Sequence, residues 1–411
     1  MPPNILWIAT TQWRAQACGY SGDPNALTPC LDALAAESVN FSQAVTPHPF
    51  GPFARAAMLT GVASPENGIR DYFDPLPPGA RTIAHEMRDR SYSTAFFGKW
   101  HLYRRDKRAR LTGDEHARIV VPAEYRGGFD FWEGFESGFL LNNPWLHGSR
   151  LPRPARFCGY QSDVVCERAS EMLRGLGGAW FAVVSLEAPH PPYTEPAAGI
   201  PARDPATLAL RGNVPADGRA AERARRELAG YYAHIEATDR SLGRLLCSLP
   251  RDTRVVLTSV HGDMHGSHGL FRKGWPHEES IRVPMLVRVP GAARLDDGPI
   301  SLLELARMTA DLASGAEALP AAGARGEGGG SSRISMPSVV ALADQCDRAW
   351  AGVRTGTRKL VLDALGAPWL FYDLEKDPLE LRNLAADPAR AAEIAGLRRV
   401  ILQPEGPKVT R

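Results

Sequence analysis

The chain has 411 residues, 44% of them apolar and 23% charged, with a formal net charge of +2. That length suits one large domain with a smaller companion, and the composition is that of an ordinary globular protein. Near-balanced charge without a long basic run argues against nucleic acid as a partner, and no apolar stretch approaches the ~18 residues a membrane span needs.

In chain order, Ile5–Ala9 reads as a buried strand that starts almost at once, so the N-terminus is expected to be fold rather than a secretory leader. Thr28-Pro-Cys-Leu-Asp-Ala-Leu-Ala-Ala-Glu opens a helix, with Pro29 just inside its start. Ser93–Phe97 and Trp180–Leu186 read as strands, residues 221–249 as a long amphipathic helix, and Arg254–Ser259 as a further buried strand. Strands alternating with helices predict a mostly parallel α/β sheet flanked by helices, with the ligand site beyond the strands' carboxyl ends. Residues 1–314 form this expected large domain. Residues 315–336 are rich in Gly, Ala and Ser and are expected to be a linker or loop. Residues 337–411 are expected to form a small α+β domain, with antiparallel strands at Ala349–Val353, Lys359–Asp363 and Trp369–Tyr372 and a helix near Pro388–Ile401.

The six cysteines (Cys18, Cys30, Cys158, Cys166, Cys247 and Cys346) form no CxxC pair. They are expected to be reduced thiols, mostly small buried side chains, in a cytoplasmic protein.

Polar motifs follow the predicted strands. They are Phe97-Gly-Lys-Trp-His, Ala188-Pro-His-Pro-Pro-Tyr and His261-Gly-Asp-Met-His-Gly-Ser-His-Gly-Leu-Phe-Arg-Lys-Gly. Together with Pro3-Asn-Ile-Leu-Trp-Ile-Ala-Thr, Arg55-Ala-Ala-Met-Leu-Thr-Gly, Glu279-Ser-Ile-Arg-Val-Pro and Leu370-Phe-Tyr-Asp-Leu-Glu-Lys-Asp-Pro-Leu-Glu-Leu-Arg-Asn-Leu, they occur in the order found in type I sulfatases. The chain therefore resembles that family, within the alkaline phosphatase superfamily, from residue 3 to about 400. The resemblance implies the family's α/β fold.

It also locates positions where this sequence departs from the family. The family's Cys/Ser-x-Pro-x-Arg signature supplies a residue modified to formylglycine. Counting back from Arg55 places that residue at Gly51, and the signature's proline is displaced to Pro52. Glycine has no side chain to oxidise or deprotonate, so it cannot be a nucleophile. The family's divalent cation, usually calcium, is held by carboxylates that would fall at Thr11, Gln12 and Val260, with His261 beside them. A hard cation needs ~6–8 oxygen ligands, so no metal and no cofactor are expected.

By the same resemblance Arg55, Lys99, His101, His190, His261 and Lys273 surround the anion or its leaving-group oxygen. Cations gathered without counter-charges would favour an anion between them. His48, Lys99, His101, His190 and His261 are the expected catalytic groups. Arg55, Lys273, Thr11, Gln12 and Gly51 are expected to contact the substrate. His48 could serve as acid or base or be bonded to backbone. Trp13 and Trp100 could line the pocket or simply pack. His261, Asp263, His265 and His268 form a string that superficially suggests a transition metal.

Two functions lead, ahead of a third, residual ester hydrolysis by the family's ordinary route with a recruited metal. The first is a repurposed, metal-independent and formylglycine-independent biosynthetic enzyme. It would act on a small anionic metabolite bearing sulfate, sulfonate, sulfamate or phosphate, by elimination, rearrangement, group transfer or water-mediated hydrolysis. The second is a non-catalytic pseudosulfatase that binds an anionic ligand or a partner. Specificity is expected in Arg104–Arg126 and Leu141–Tyr160. No membrane association is expected, and a homo-oligomer is left open.

Overall fold

The computed structural model describes residues 2–316, 319 and 330–403. Its strands are β1 (Ile5–Thr10), β2 (Val39–Val45), β3 (Ser93–Lys99), β4 (Phe131–Phe135), β5 (Trp145–Gly148), β6 (Ala155–Arg156), β7 (Trp180–Ser185), β8 (Arg254–Ser259), β9 (Met285–Arg288), β10 (Arg294–Ser301), β11 (Ser331–Met336), β12 (Trp350–Thr355), β13 (Arg358–Asp363) and β14 (Pro368–Asp373). The helices are α1 (Pro29–Ala36), α2 (Gly51–Thr60), α3 (Ile83–Asp89), α4 (Asp114–Ala117), α5 (Gln161–Arg174), α6 (Gly218–Cys247), α7 (Glu278–Ile281), α8 (Leu305–Ala313) and α9 (Ala391–Leu402).

The first ten strands form one sheet in the order β10-β2-β9-β8-β1-β7-β3-β4-β5-β6. Its centre is parallel: β8, β1, β7, β3 and β4 pair in one direction. A parallel sheet needs cover on both faces, and β1 shows how the sequence provides it. Ile5, Trp7 and Ala9 join the core beneath α2, α3 and α8, whereas Leu6 and Ile8 join the core beneath α1, α5 and α6. Trp7 Nε1 donates to Thr309 Oγ1 at 2.8 Å, fixing α8 against β1. No side chain of its own caps α1. Asp239 of α6 accepts from Cys30 N and Leu31 N instead, at 3.0 and 2.8 Å, and so ties the two helices together.

The second sheet is antiparallel, in the order β11-β12-β13-β14. Its first strand lies inside the segment expected to be a linker, so the small sheet begins at Ser331 rather than beyond residue 336. Ser332, Ile334 and Met336 alternate inward, a period of two that the neighbouring glycines conceal. Residues 317–318 and 320–329 of the expected linker lie outside the described residues. One face of this sheet shares the main core through Ile334, Met336, Trp350, Val361 and Tyr372. Its other face packs under α9 through Val353, Leu360, Leu362, Phe371 and Ile394.

All six cysteines are free thiols; Cys18, Cys166 and Cys346 are buried, while Cys158 and Cys247 are exposed. Among the described residues, no helix is long and apolar enough to cross a membrane.

Candidate functional site

The carboxyl ends of β1, β3, β7 and β8 open onto one cavity of about 690 Å³. Thr11 follows β1, Lys99 ends β3, His190 follows β7 and His261 follows β8, which is where a parallel sheet places a ligand site. Thr11, Gly51, Lys99, His101, His190, His261 and Lys273 all line it. Arg55 and Gln12 stand one layer back. Arg55 Nη2 donates to Thr11 Oγ1 at 2.9 Å, and Gln12 lies fully buried between Lys273 and Asp263. They support the wall and make no contact with the space.

The cations are not without counter-charges, contrary to expectation. Lys99 Nζ lies 2.6 Å from Glu187 Oε1, with both side chains buried. Lys273 Nζ donates to Gln12 Oε1 at 2.8 Å and to His190 Nε2 at 3.2 Å. Asp263 accepts from Gln12 and, at 2.6 Å, from Tyr193 Oη. Burial raises the Asp263 pKa, but His265, Arg272 and Tyr193 together hold it below the usual carboxylate range. Among the described residues Arg55 pairs with no carboxylate, and its buried Nε and Nη1 have no hydrogen-bond partner. Burial lowers Arg55 to about 10, Lys99 to about 8 and Lys273 to about 7, each partly offset by nearby carboxylates. Lys99 and Lys273 therefore give up a proton more readily than a free lysine, whereas Arg55 stays charged near neutral pH.

The imidazoles are neutral. Burial, reinforced by the surrounding cations, holds His101, His190 and His261 well below the ordinary histidine value. His190 Nδ1 lies 2.7 Å from Pro191 O and His261 Nδ1 2.9 Å from Gly262 O, so each donates from that atom. Among the described residues His261 Nε2 has no hydrogen-bond partner, and neither has His101 Nδ1.

Gly51 begins α2, and the space that its missing side chain would need is occupied. A Cβ at this position would lie 2.8 Å from His101 Nδ1 and 3.1 Å from Cε1. His101 reaches this place with a left-handed backbone, φ 59°. Its own N–H donates to Glu136 O at 2.8 Å. The Glu136 carboxylate accepts from Leu102 N, Tyr103 N and Arg105 Nη1 at 3.2, 3.0 and 2.8 Å. That clasp holds the loop in an unfavourable conformation for a non-glycine residue.

Several other expectations change. His48 is buried away from the cavity. Its Nε2 accepts from Ser64 N at 2.8 Å and its Nδ1 faces Ser335 O at 3.2 Å, so it joins the α2 loop to β11 and is no acid or base for the site. Trp13 and Trp100 are core residues, 1% and 0% exposed. Of the segments expected to set specificity, only the first reaches the cavity, through Leu111 and Thr112; from the other side Phe139 does so, just before the second segment. Phe139 stacks on His190 at 4.4 Å and lies beneath Lys99 Nζ at 4.6 Å. Glu136, Phe139 and Glu187 were not singled out from the sequence. Glu187 could have been, because it lies two residues past the end of β7.

The histidine string does not converge. His261 faces the cavity, His265 packs on Tyr193 and Tyr231, and His268 turns towards Glu279 and Glu380. Those three last groups are the one metal-like cluster among the described residues. Arg211 and Asn213 already hold Glu279, and Lys359 pairs with Glu380. The positions where sulfatases hold a divalent cation do not fit one here. Thr11 Oγ1 donates to Leu186 O and accepts from Arg55, Gln12 Oε1 accepts from Lys273, and Val260 offers no ligand atom. A hard cation requires several carboxylate oxygens, and these two neutral oxygens are already bonded to cationic side chains.

A family model described as Sulfatase matches residues 3–316. An ulvan-active sulfatase of Formosa agariphila is 37% identical over 70% of this chain and 56% of its own length. A choline-sulfatase of Rhizobium meliloti is 28% identical over 96% of this chain and 85% of its own. Among solved structures, yidJ from Bacteroides fragilis superposes with a TM-score of 0.83 at 24% identity, covering 97% of this chain and 94% of that one. The phosphonate monoester hydrolase of Agrobacterium radiobacter gives 0.75 at 22% identity, covering 97% and 95%.

Proposed function

Because the chain belongs to the sulfatase family, we propose that it is a family enzyme turned to metal-independent, formylglycine-independent chemistry on a small anionic ester or related metabolite. The anionic group, a sulfate, sulfonate, sulfamate or phosphate, binds between Lys99 and Lys273. The observation that carries this reading is that two buried lysines and three neutral imidazoles line one cavity, while Arg55 adds a buried positive charge behind Thr11. Such groups stabilise charge that develops on a leaving oxygen. Burial lowers Lys99 to about 8 and Lys273 to about 7, close enough to neutrality to suit proton transfer. The cavity takes a small metabolite, and its apolar wall of Phe50, Tyr72, Phe139 and Leu342 suits a ring or short carbon chain.

The test is turnover of 4-nitrophenyl sulfate and 4-nitrophenyl phosphate by chelator-treated protein. Turnover abolished by Lys99→Met supports the reading, and activity that appears only with calcium contradicts it.

The pairing of Lys99 with Glu187 and of Lys273 with Gln12 favours a second reading, a non-catalytic protein that binds an anionic ligand. In that case benzenesulfonate binds and neither ester turns over.

A further inference from the structure

We propose that His101 is the nucleophile of this site, its imidazole standing where the side chain of residue 51 would stand. The inference rests on reading the chain as an enzyme that acts on an anionic ester.

The first argument is position. A serine or cysteine at residue 51 would project its reactive atom one bond beyond Cβ, and His101 Nδ1 lies 2.8 Å from that Cβ. The imidazole nitrogen thus replaces in space a group that glycine cannot supply. Both residues line the cavity, so a nucleophile at either position meets the same ligand.

The second is protonation. Tyr72 Oη lies 3.4 Å from His101 Nε2, while Nδ1 is buried with no hydrogen-bond partner among the described residues. A proton on Nε2, directed at Tyr72, leaves the lone pair on Nδ1 free. Burial and the nearby cations keep the ring neutral, and a neutral imidazole forms covalent intermediates with electrophilic centres.

The third is backbone. His101 is held at φ 59° by the Glu136–Arg105 clasp, and strain kept in place beside a cavity points to function.

The step balances without an added oxidant or metal. Nδ1 attacks sulfur or phosphorus, the bond to the ester oxygen breaks, and its electron pair leaves with that oxygen, which takes a proton from Lys99. Water then attacks the same atom, and the bond to nitrogen breaks with its pair returning to Nδ1. One water proton restores Lys99 and the other leaves with the released anion.

The experiment is an alkaline quench of the whole protein during turnover of 4-nitrophenyl sulfate or 4-nitrophenyl phosphate, followed by intact-mass and peptide mass spectrometry. The expected result is an acid-labile SO₃ or PO₃ adduct on the peptide that carries His101. His101→Asn should lose the adduct and turnover by on the order of 10³-fold or more, while a cooperative urea transition and an unchanged circular-dichroism spectrum show that it folds. His101→Gly should regain turnover with free imidazole, a rescue that a merely structural histidine would not show. An adduct on Lys99, Lys273 or His261, or turnover that survives in His101→Asn, overturns the proposal and leaves the enzyme reading standing. Absence of both turnover and adduct from the wild-type protein overturns the two together.

Discussion

His101 Nδ1 lies 2.8 Å from where any side chain at residue 51 would begin, so these two positions share one space. The ring that fills it is 3% exposed and is flanked by Tyr72 and Phe139. Gly51→Ala must therefore displace a packed imidazole. Overpacking of this kind costs ~1–3 kcal/mol, and urea denaturation should show that loss. In a double-mutant cycle with His101→Ala the two effects should fall well short of additive, because removing the ring makes room for the methyl group.

Lys99 and Glu187 form a second dependent pair. Both are fully buried, so Glu187→Gln leaves a lysine whose charge has lost its compensation. Breaking one side of a buried pair costs ~3–5 kcal/mol. Neutralisation of Lys99 from its already lowered value of about 8 limits the loss above that pH. Urea denaturation at pH ~7 and ~9 should show the larger penalty at the lower pH.

Acid should destabilise the fold through its buried histidines. Burial lowers His48 and His265 to about 4, and His101, His190 and His261 well below the ordinary value. Between about 4 and the unfolded value near 6.5, the unfolded chain takes up protons that the folded chain refuses. Stability then falls as pH falls, by up to ~1.4 kcal/mol per group per pH unit. Glu136 and Glu380, raised by burial to about 7, act in the opposite sense, but they are outnumbered, because burial also lowers His147 and His234 to about 4 and His277 to about 3. Urea midpoints measured at pH ~7 and ~5.5 should decrease, with net proton uptake on unfolding.

How much of this was legible in the sequence follows from where the information lies. The residues of β1, β3, β7 and β8 are apolar runs closed by polar motifs, so the strands and the site at their ends could be read directly. The long helix was expected at residues 221–249 and runs from Gly218 to Cys247. β11 was hidden by the glycines beside it, although its own residues alternate. Lys99, His190, Lys273 and Gln12 were found by motif, but the pairings among them were not, and Glu187 was missed. Glu187 meets Lys99 only because β7 lies beside β3, and Gln12 meets Lys273 across 261 residues. His48 shows the converse, since nearness to Gly51 in sequence did not put it in the cavity. The turn that carries His101 into the space beside Gly51 depends on one positive φ and a carboxylate 35 residues away, and no periodicity signals either.

The most direct test of the account is calorimetric titration of the whole protein with benzenesulfonate in excess EDTA, because the central claim is an anion site that needs no metal. The account predicts binding that added calcium does not strengthen and that weakens as pH rises through about 7, where Lys273 loses its proton. Lys273→Met should weaken it ~10-fold, about 1.4 kcal/mol, and flatten the pH dependence. Binding that requires calcium, or that is indifferent to Lys99→Met and Lys273→Met, would contradict the account.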